Sequence, residues 1–193
     1  MSADIDIDFA DRSQILNLIR HTPAMQFNDG KPRKHNSGVY VTGIPKDTIN
    51  NCSSIDYNLA EERGYFKIDF LNVGVYNLIP DPETYERFLN TPTKWSRLNV
   101  REFCQQVVHI GNHYDTLTKM PEPVDSIPRM AMFLALIRPA KRHLIGKTWQ
   151  EIAQDIWTAP SDDSYFFKKS HAVAYAHLVA LHISIIDFAN QSN

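Results

Sequence analysis

The sequence predicts an α+β fold: a small strand-bearing portion over about residues 1–80, then a mostly helical portion over 81–193, together forming one compact unit. Three observations carry this. Acidic and apolar residues alternate in Asp4-Ile5-Asp6-Ile7-Asp8-Phe9, the period of a strand. Two further runs, Gly38-Val39-Tyr40-Val41-Thr42 and Tyr65-Phe66-Lys67-Ile68-Asp69-Phe70-Leu71, are rich in β-branched and aromatic residues. From Pro82 onward, helix starts marked by proline or a capping side chain follow one another.

In chain order, residues 4–9 form the first strand, with Asp4, Asp6 and Asp8 on one face and Ile5, Ile7 and Phe9 turned to a core. Asp11 caps a helix over 12–20, whose Ile15, Leu16, Leu18 and Ile19 make an apolar stripe. His21 to Asn36 is polar, contains Asp29-Gly30 and Pro32, and reads as a loop. The second strand, 38–42, ends at Gly43 and Pro45, and a helical turn over 59–63 stops at Gly64 ahead of the third strand, 65–71. Beyond it, helices are expected at 82–89, 100–110, 127–137 and 148–157. A long final helix runs from a Ser170 cap to about Phe188. No internal repeat or low-complexity tract interrupts this order.

Composition bounds the function. At 193 residues and 43% hydrophobic content the chain can bury one sizeable core. A net charge of -2 and a pI near 6.4 carry no overall basic excess, so any nucleic-acid contact must be local. Cys52 and Cys104 are too few for a disulfide framework or a zinc site and point to a reducing, cytoplasmic compartment. No apolar stretch is read as long enough to span a membrane, and the acidic N-terminus does not suit a secretory leader.

The acidic ladder is the strongest chemical signal. Like charges on one strand face repel, so a fold that keeps them brings a cation or water to that face. With Asp69 joining from a neighbouring strand, three carboxylates on paired strands form the protein half of a two-metal phosphoryl-transfer site. The first strand alone supports an alternative equally well, because alternating Asp also blunts an exposed sheet edge. His109 and His113 have the i, i+4 spacing of one helical face but no third ligand, and read as structural or solvent-exposed, with metal binding the lesser alternative. Cys104 reads as a buried small hydrophobe. Basic residues cluster at Lys31, Arg33 and Lys34, at Arg138, Lys141, Arg142 and His143, and at Lys168 and Lys169 before His171. Each cluster is a solvated face by default. The second follows a helix end, and the third opens a helix whose free N–H groups favour an anion such as phosphate.

Taken in order, these segments resemble the alpha subunit of bacterial replicative DNA polymerase III, the C family of DNA polymerases. Asp4 to Phe9, with Asp11, Arg12 and Ile15, is similar to that family's Pro-Asp-x-Asp-x-Asp-Phe palm motif, with Ala3 in place of the proline. His35-Asn36-Ser37-Gly38-Val39-Tyr40-Val41 resembles its second palm strand. Ala60 to Leu71 resembles the strand that carries its third catalytic carboxylate, with Asn72 where the family tends to have Gly. Ala135-Leu136-Ile137-Arg138-Pro139 and Lys169-Ser170-His171-Ala172-Val173-Ala174-Tyr175 resemble two of its fingers motifs. The matches are collinear and span almost the whole chain. The family's triphosphate-holding Gly-Ser signature is missing, and the fingers segment is cut to about thirty residues.

The resemblance implies a miniature nucleotidyltransferase-like palm with vestigial fingers, of a kind that fits a virus of bacteria. Asp6, Asp8 and Asp69 would be catalytic and would hold Mg2+ or Mn2+. Arg138, Lys141, Lys168, Lys169 and His171 would grip nucleotide phosphates. Lys67, read as lying on the strand face opposite Asp69, would act at the site's margin. The expected function is replication-associated nucleotidyl transfer from a nucleoside triphosphate to a nucleic-acid end. The alternative is a silent palm-derived module that binds a replication protein, nucleic acid or itself. Missing triphosphate-binding residues favour the module, and retention of all three carboxylates favours the enzyme.

Overall fold

The computed structural model describes residues 5–161 and 166–191, so Ala3 and Asp4 of the predicted ladder lie outside the described residues. The fold is α+β, a small mixed sheet followed by a helical C-terminal half. The chain divides into two compact units, Met1–Leu78 and Ile79–Asn193, where the sequence suggests one unit that changes character near residue 80.

The first unit is built on four strands: β1 (Ile5–Phe9), β2 (Thr22–Asn28), β3 (Lys31–Tyr40) and, later in the chain, the strand Ile68–Asn72. Between β3 and that last strand lie the short pair β4 (Lys46–Asp47) and β5 (Cys52–Ser53), which makes Ile68–Asn72 β6. The sheet order is β1-β6-β3-β2, with β1 parallel to β6 and the other pairs antiparallel. Helix α1 (Arg12–Leu18) is capped by Asp11, whose carboxylate accepts the Ser13 N–H at 2.9 Å. Helix α2 (Tyr57–Glu62) is capped in the same way by Asp56. Gly64 follows it in the left-handed conformation.

Three expectations change here. The polar stretch 21–36 is no loop: it forms β2 and most of β3. Asp29 and Gly30, at φ 51° and 72°, make the tight turn that an Asp-Gly pair favours between antiparallel strands. The third strand is shorter than 65–71 and starts at Ile68. The apolar side of β1 is only partly covered, since Ile5 and Ile7 are 42% and 38% exposed while Phe9 meets Phe70 edge to face. In α1, Leu18 is likewise exposed and no residue is fully buried. The unit's core is small: Ala24, Tyr40, Ile44 and Ala60, flanked by Ile55, Tyr57 and Tyr65. Tyr40 is fully buried, its hydroxyl has no hydrogen-bond partner among the described residues, and burial pushes the phenol up to about 12.

The second unit contains α3 (Pro82–Asn90), α4 (Arg101–Cys104), α5 (Tyr114–Leu117), α6 (Ile127–Leu136), α7 (Trp149–Asp155) and α8 (Lys169–Gln191). Asp81 caps α3 ahead of Pro82, as its sequence requires, and Thr148 and Glu151 form a capping box on α7. The expected helix over 100–110 stops at Cys104. Further along, His109 sits at φ 66°, a left-handed conformation that no helix accommodates, so His109 and His113 share no helical face. Ser170 is no cap either, because α8 already includes Lys169.

Helix α8 packs against α6, and Met130, Phe133, Leu134, Leu136, Val179 and Ile183 lie at the centre of a core far larger than the first unit's. With 23 residues and a mean hydropathy of 1.6, α8 is long and apolar enough to cross a membrane, contrary to the sequence reading; 56% of that apolar stretch is buried inside the protein. At its far end the buried Asp187 accepts from Lys94 at 2.6 Å, from Arg97 at 2.7 Å and from Gln191 at 2.8 Å. The Lys94 bond first, then Arg97, holds the carboxyl below its ordinary range. A depressed folded-state pKa gives stability that is present above the unfolded value and lost as pH falls through the folded one. Asp187→Asn should therefore cost about 2–3 kcal/mol at neutral pH. The variant should also lose less stability than wild type as pH drops through the carboxylate range. Urea unfolding at pH 7 and pH 3 measures both.

Candidate functional site

The parallel ladder sets the site. Asp6 pairs with Asp69 across β1 and β6, and residues in register on neighbouring strands present their side chains to the same face. Asp8, two residues along β1, joins them. The carboxyl of Asp8 is raised above its ordinary range, first by lost hydration and then by the Asp6 charge, while a hydrogen bond from Tyr76 works against both.

Asp69 is the buried member, 9% exposed, and both of its oxygens are engaged. Oδ1 accepts the Ser37 hydroxyl at 2.5 Å, and Oδ2 pairs with the Lys67 ammonium. The assignment of Lys67 to the opposite face is thus corrected: two residues apart on an extended chain, Lys67 and Asp69 share a face. Gly38, opposite Asp69 on β3, lets the lysine stem pass, since a Cβ there would come within 2.7 Å of Lys67 Cδ. His35 Nδ1 lies 3.6 Å from Asp69 Oδ1, yet it accepts the Gly38 N–H at 2.9 Å. An acceptor nitrogen carries no proton, so this bond places the proton on Nε2 and makes the ring a neutral neighbour of Asp69. Burial, then the Lys67 charge, lowers the His35 pKa in keeping with that state.

Arg12 ties the frame together. Its guanidinium donates to the Asn36 carbonyl at 2.5 Å and the Phe70 carbonyl at 3.0 Å, and its backbone N–H donates to Asn72 Oδ1 at 2.7 Å. Helix α1 is thereby fixed to β3 and β6 beside the acidic face. Asn72, just past the end of the Ala60–Leu71 run, serves as this anchor.

Hard carboxylate oxygens suit Mg2+ or Mn2+. Among the described residues no three His, Cys, Asp or Glu side chains are placed to surround one ion. A cation at Asp69 would have to displace the Lys67 ammonium that now balances it.

The other assigned residues belong to the second unit. Lys141 is corrected outright: it is 3% exposed, and its ammonium donates to the Asp155 carbonyl at 2.6 Å and to Oδ1 at 3.2 Å, which leaves it buried at the end of α7 rather than open to phosphate. Arg138 lies over the Phe167 ring at 4.8 Å, and its buried Nε makes no hydrogen bond among the described residues. His171 stacks on the same ring at 6.2 Å, and Lys168 and Lys169 are exposed at the start of α8.

Sequence reasoning gave no separate role to Ser37, His35, Arg12 or Tyr76. The run His35-Asn36-Ser37-Gly38 was the available signal, since a polar cluster inside a strand needs polar neighbours. Comparison of the chain with protein-family models, curated proteins and solved structures finds no match, and the site stands on its own geometry.

Proposed function

We propose that the first unit is a metal-dependent nucleotidyltransferase related in design to the C-family polymerase palm, adding nucleotides to a nucleic-acid end during replication. The observation that carries this reading is the register of β1 and β6, which sets Asp6 opposite Asp69 with Asp8 on the same face. Asp6, Asp8 and Asp69 would hold the ion. Mg2+ or Mn2+, when bound, supplies charge neutralisation for a triphosphate and acidifies an attacking hydroxyl. Ser37 fixes the Asp69 rotamer, and Tyr76 orients Asp8. Lys67, displaced from Asp69, becomes a cation for phosphate beside the acids.

One observation favours the silent module. The Lys67 ammonium already neutralises Asp69, so the most buried of the three carboxylates has a partner without metal.

The test combines binding and turnover. Mn2+ should raise the melting temperature of wild type by acting on the folded state alone, and Asp6→Asn should abolish the rise. With Mn2+, four nucleoside triphosphates and a labelled primer-template, wild type should extend the primer by at least a few nucleotides, and a chelator should stop it. An equal metal response in both proteins, with no extension, supports the module.

A further inference from the structure

The β2–β3 hairpin extends beyond the sheet it belongs to. β3 runs from Lys31 to Tyr40, but its ladder with β6 covers only Gly38 and Val39. From Gln26 to Lys34 the two strands pair only with each other, and all of these residues except the half-buried Gln26 are exposed. A two-stranded ribbon with both faces in water gains little from folding by itself.

Its register sorts the side chains. Gln26 faces Arg33 and Asn28 faces Lys31, which gives one face two cations and two amides. Phe27 faces Pro32, with Lys34 next on that side, and Phe27 is 59% exposed. Lys31, Arg33 and Lys34 make no side-chain hydrogen bond or ion pair among the described residues. Asp29, at the turn, is the one acid between Gln26 and His35. A chain of net charge -2 thus carries a projecting ribbon with three unpaired cations and a bare aromatic ring.

We infer that this ribbon binds single-stranded nucleic acid, with Lys31, Arg33 and Lys34 against phosphates and Phe27 as a stacking platform for a base. Cations alone would suit any polyanion. The aromatic ring, on the Lys34 face and across the narrow ribbon from Lys31 and Arg33, selects a strand whose bases are unpaired, because stacking is open to every base and duplex bases are already stacked. The inference names the partner surface of the proposed activity but does not depend on turnover, and is read by binding alone.

Fluorescence anisotropy tests it in chelator, using a labelled twelve-nucleotide DNA strand, the same strand in RNA, and the DNA duplex. Three neutralised phosphates on a single strand predict a log–log salt slope of about -2, a loss of roughly 15- to 20-fold between 50 and 200 mM salt. The triple charge reversal K31E/R33E/K34E should bind at least tenfold more weakly with a slope near zero. Phe27→Ala should bind at least fivefold more weakly with the slope unchanged. Asp8→Asn should bind like wild type, which separates this inference from the catalytic one. Circular dichroism confirms that the exposed substitutions leave the fold intact. Wild type that does not bind, a triple variant that binds as tightly as wild type, or heparin and the duplex bound as well as the single strands would each overturn it. Equal binding of DNA and RNA supports phosphate and base contacts, whereas preference for one adds a sugar contact.

Discussion

Asp8→Asn should cut metal-dependent primer extension by about 10²–10³-fold or more, while leaving the protein at least as stable as wild type. The two halves of this expectation have one origin. Asp8 is pushed above its ordinary range by lost hydration and by Asp6, so its ionised form is costly to the fold. The amide removes that cost and still offers Tyr76 a hydrogen-bond acceptor. It also removes a charged oxygen ligand where the reaction needs it, and losing one such electrostatic partner of a transition state is worth about 10²–10³-fold or more. The measurement is single-turnover extension with Mn2+ beside a urea melt without metal. Extension by the variant at the wild-type rate would place the chemistry elsewhere or in a contaminant.

Phe133→Ala should cost the second unit about 4 kcal/mol. Phe133 is fully buried on α6 in the core that α8 completes, among Met130, Leu134, Leu136, Val179 and Ile183. Truncation removes the transfer free energy of the ring and leaves a cavity that interlocked helices can close only in part. Urea unfolding followed by the helical circular dichroism signal should show the midpoint drop, whereas a loss below 1 kcal/mol would mean that the core collapses onto the gap. Primer extension below the new midpoint should persist, since the substitution touches none of the acidic residues.

What the sequence made legible follows the strength of its local signals. β1, α3, α6 and α8 were readable because each carries a full period of apolar residues or a cap beside a proline, and the α+β class followed from their order. The hairpin was missed because residues 21–36 are polar, and an Asp-Gly turn was weighed as a loop marker rather than as the joint of two strands. The helix over 100–110 has adequate composition, but the backbone at His109 is left-handed, a choice that tertiary packing makes and side-chain pattern does not record. In the site, the shared face of Asp6 and Asp8 on β1 was accessible from periodicity. The bonds of Asp69 to Ser37 and Lys67 depend on how β3 lies beside β6, and a register between distant strands is written nowhere in local sequence. Lys141 misled for the same reason: a basic run looks solvated until one member is turned inward to an Asp155 fourteen residues away.

The sheet order β1-β6-β3-β2 has a consequence in time. The β2–β3 hairpin closes around a two-residue turn, an event of about 1–10 μs. The β1–β6 ladder joins Ile5 to Ile68 across the rest of the unit, and such distant parallel pairs form slowly because the loop entropy comes before the contacts. The acidic face should therefore assemble after the buried Thr22–Tyr40 end of the hairpin and, lying on an edge strand with half-covered apolar residues, open before it. Amide hydrogens of β1 should exchange ahead of those at the buried Thr22–Tyr40 end of the hairpin, and a cation that clamped Asp6 to Asp69 would slow them selectively.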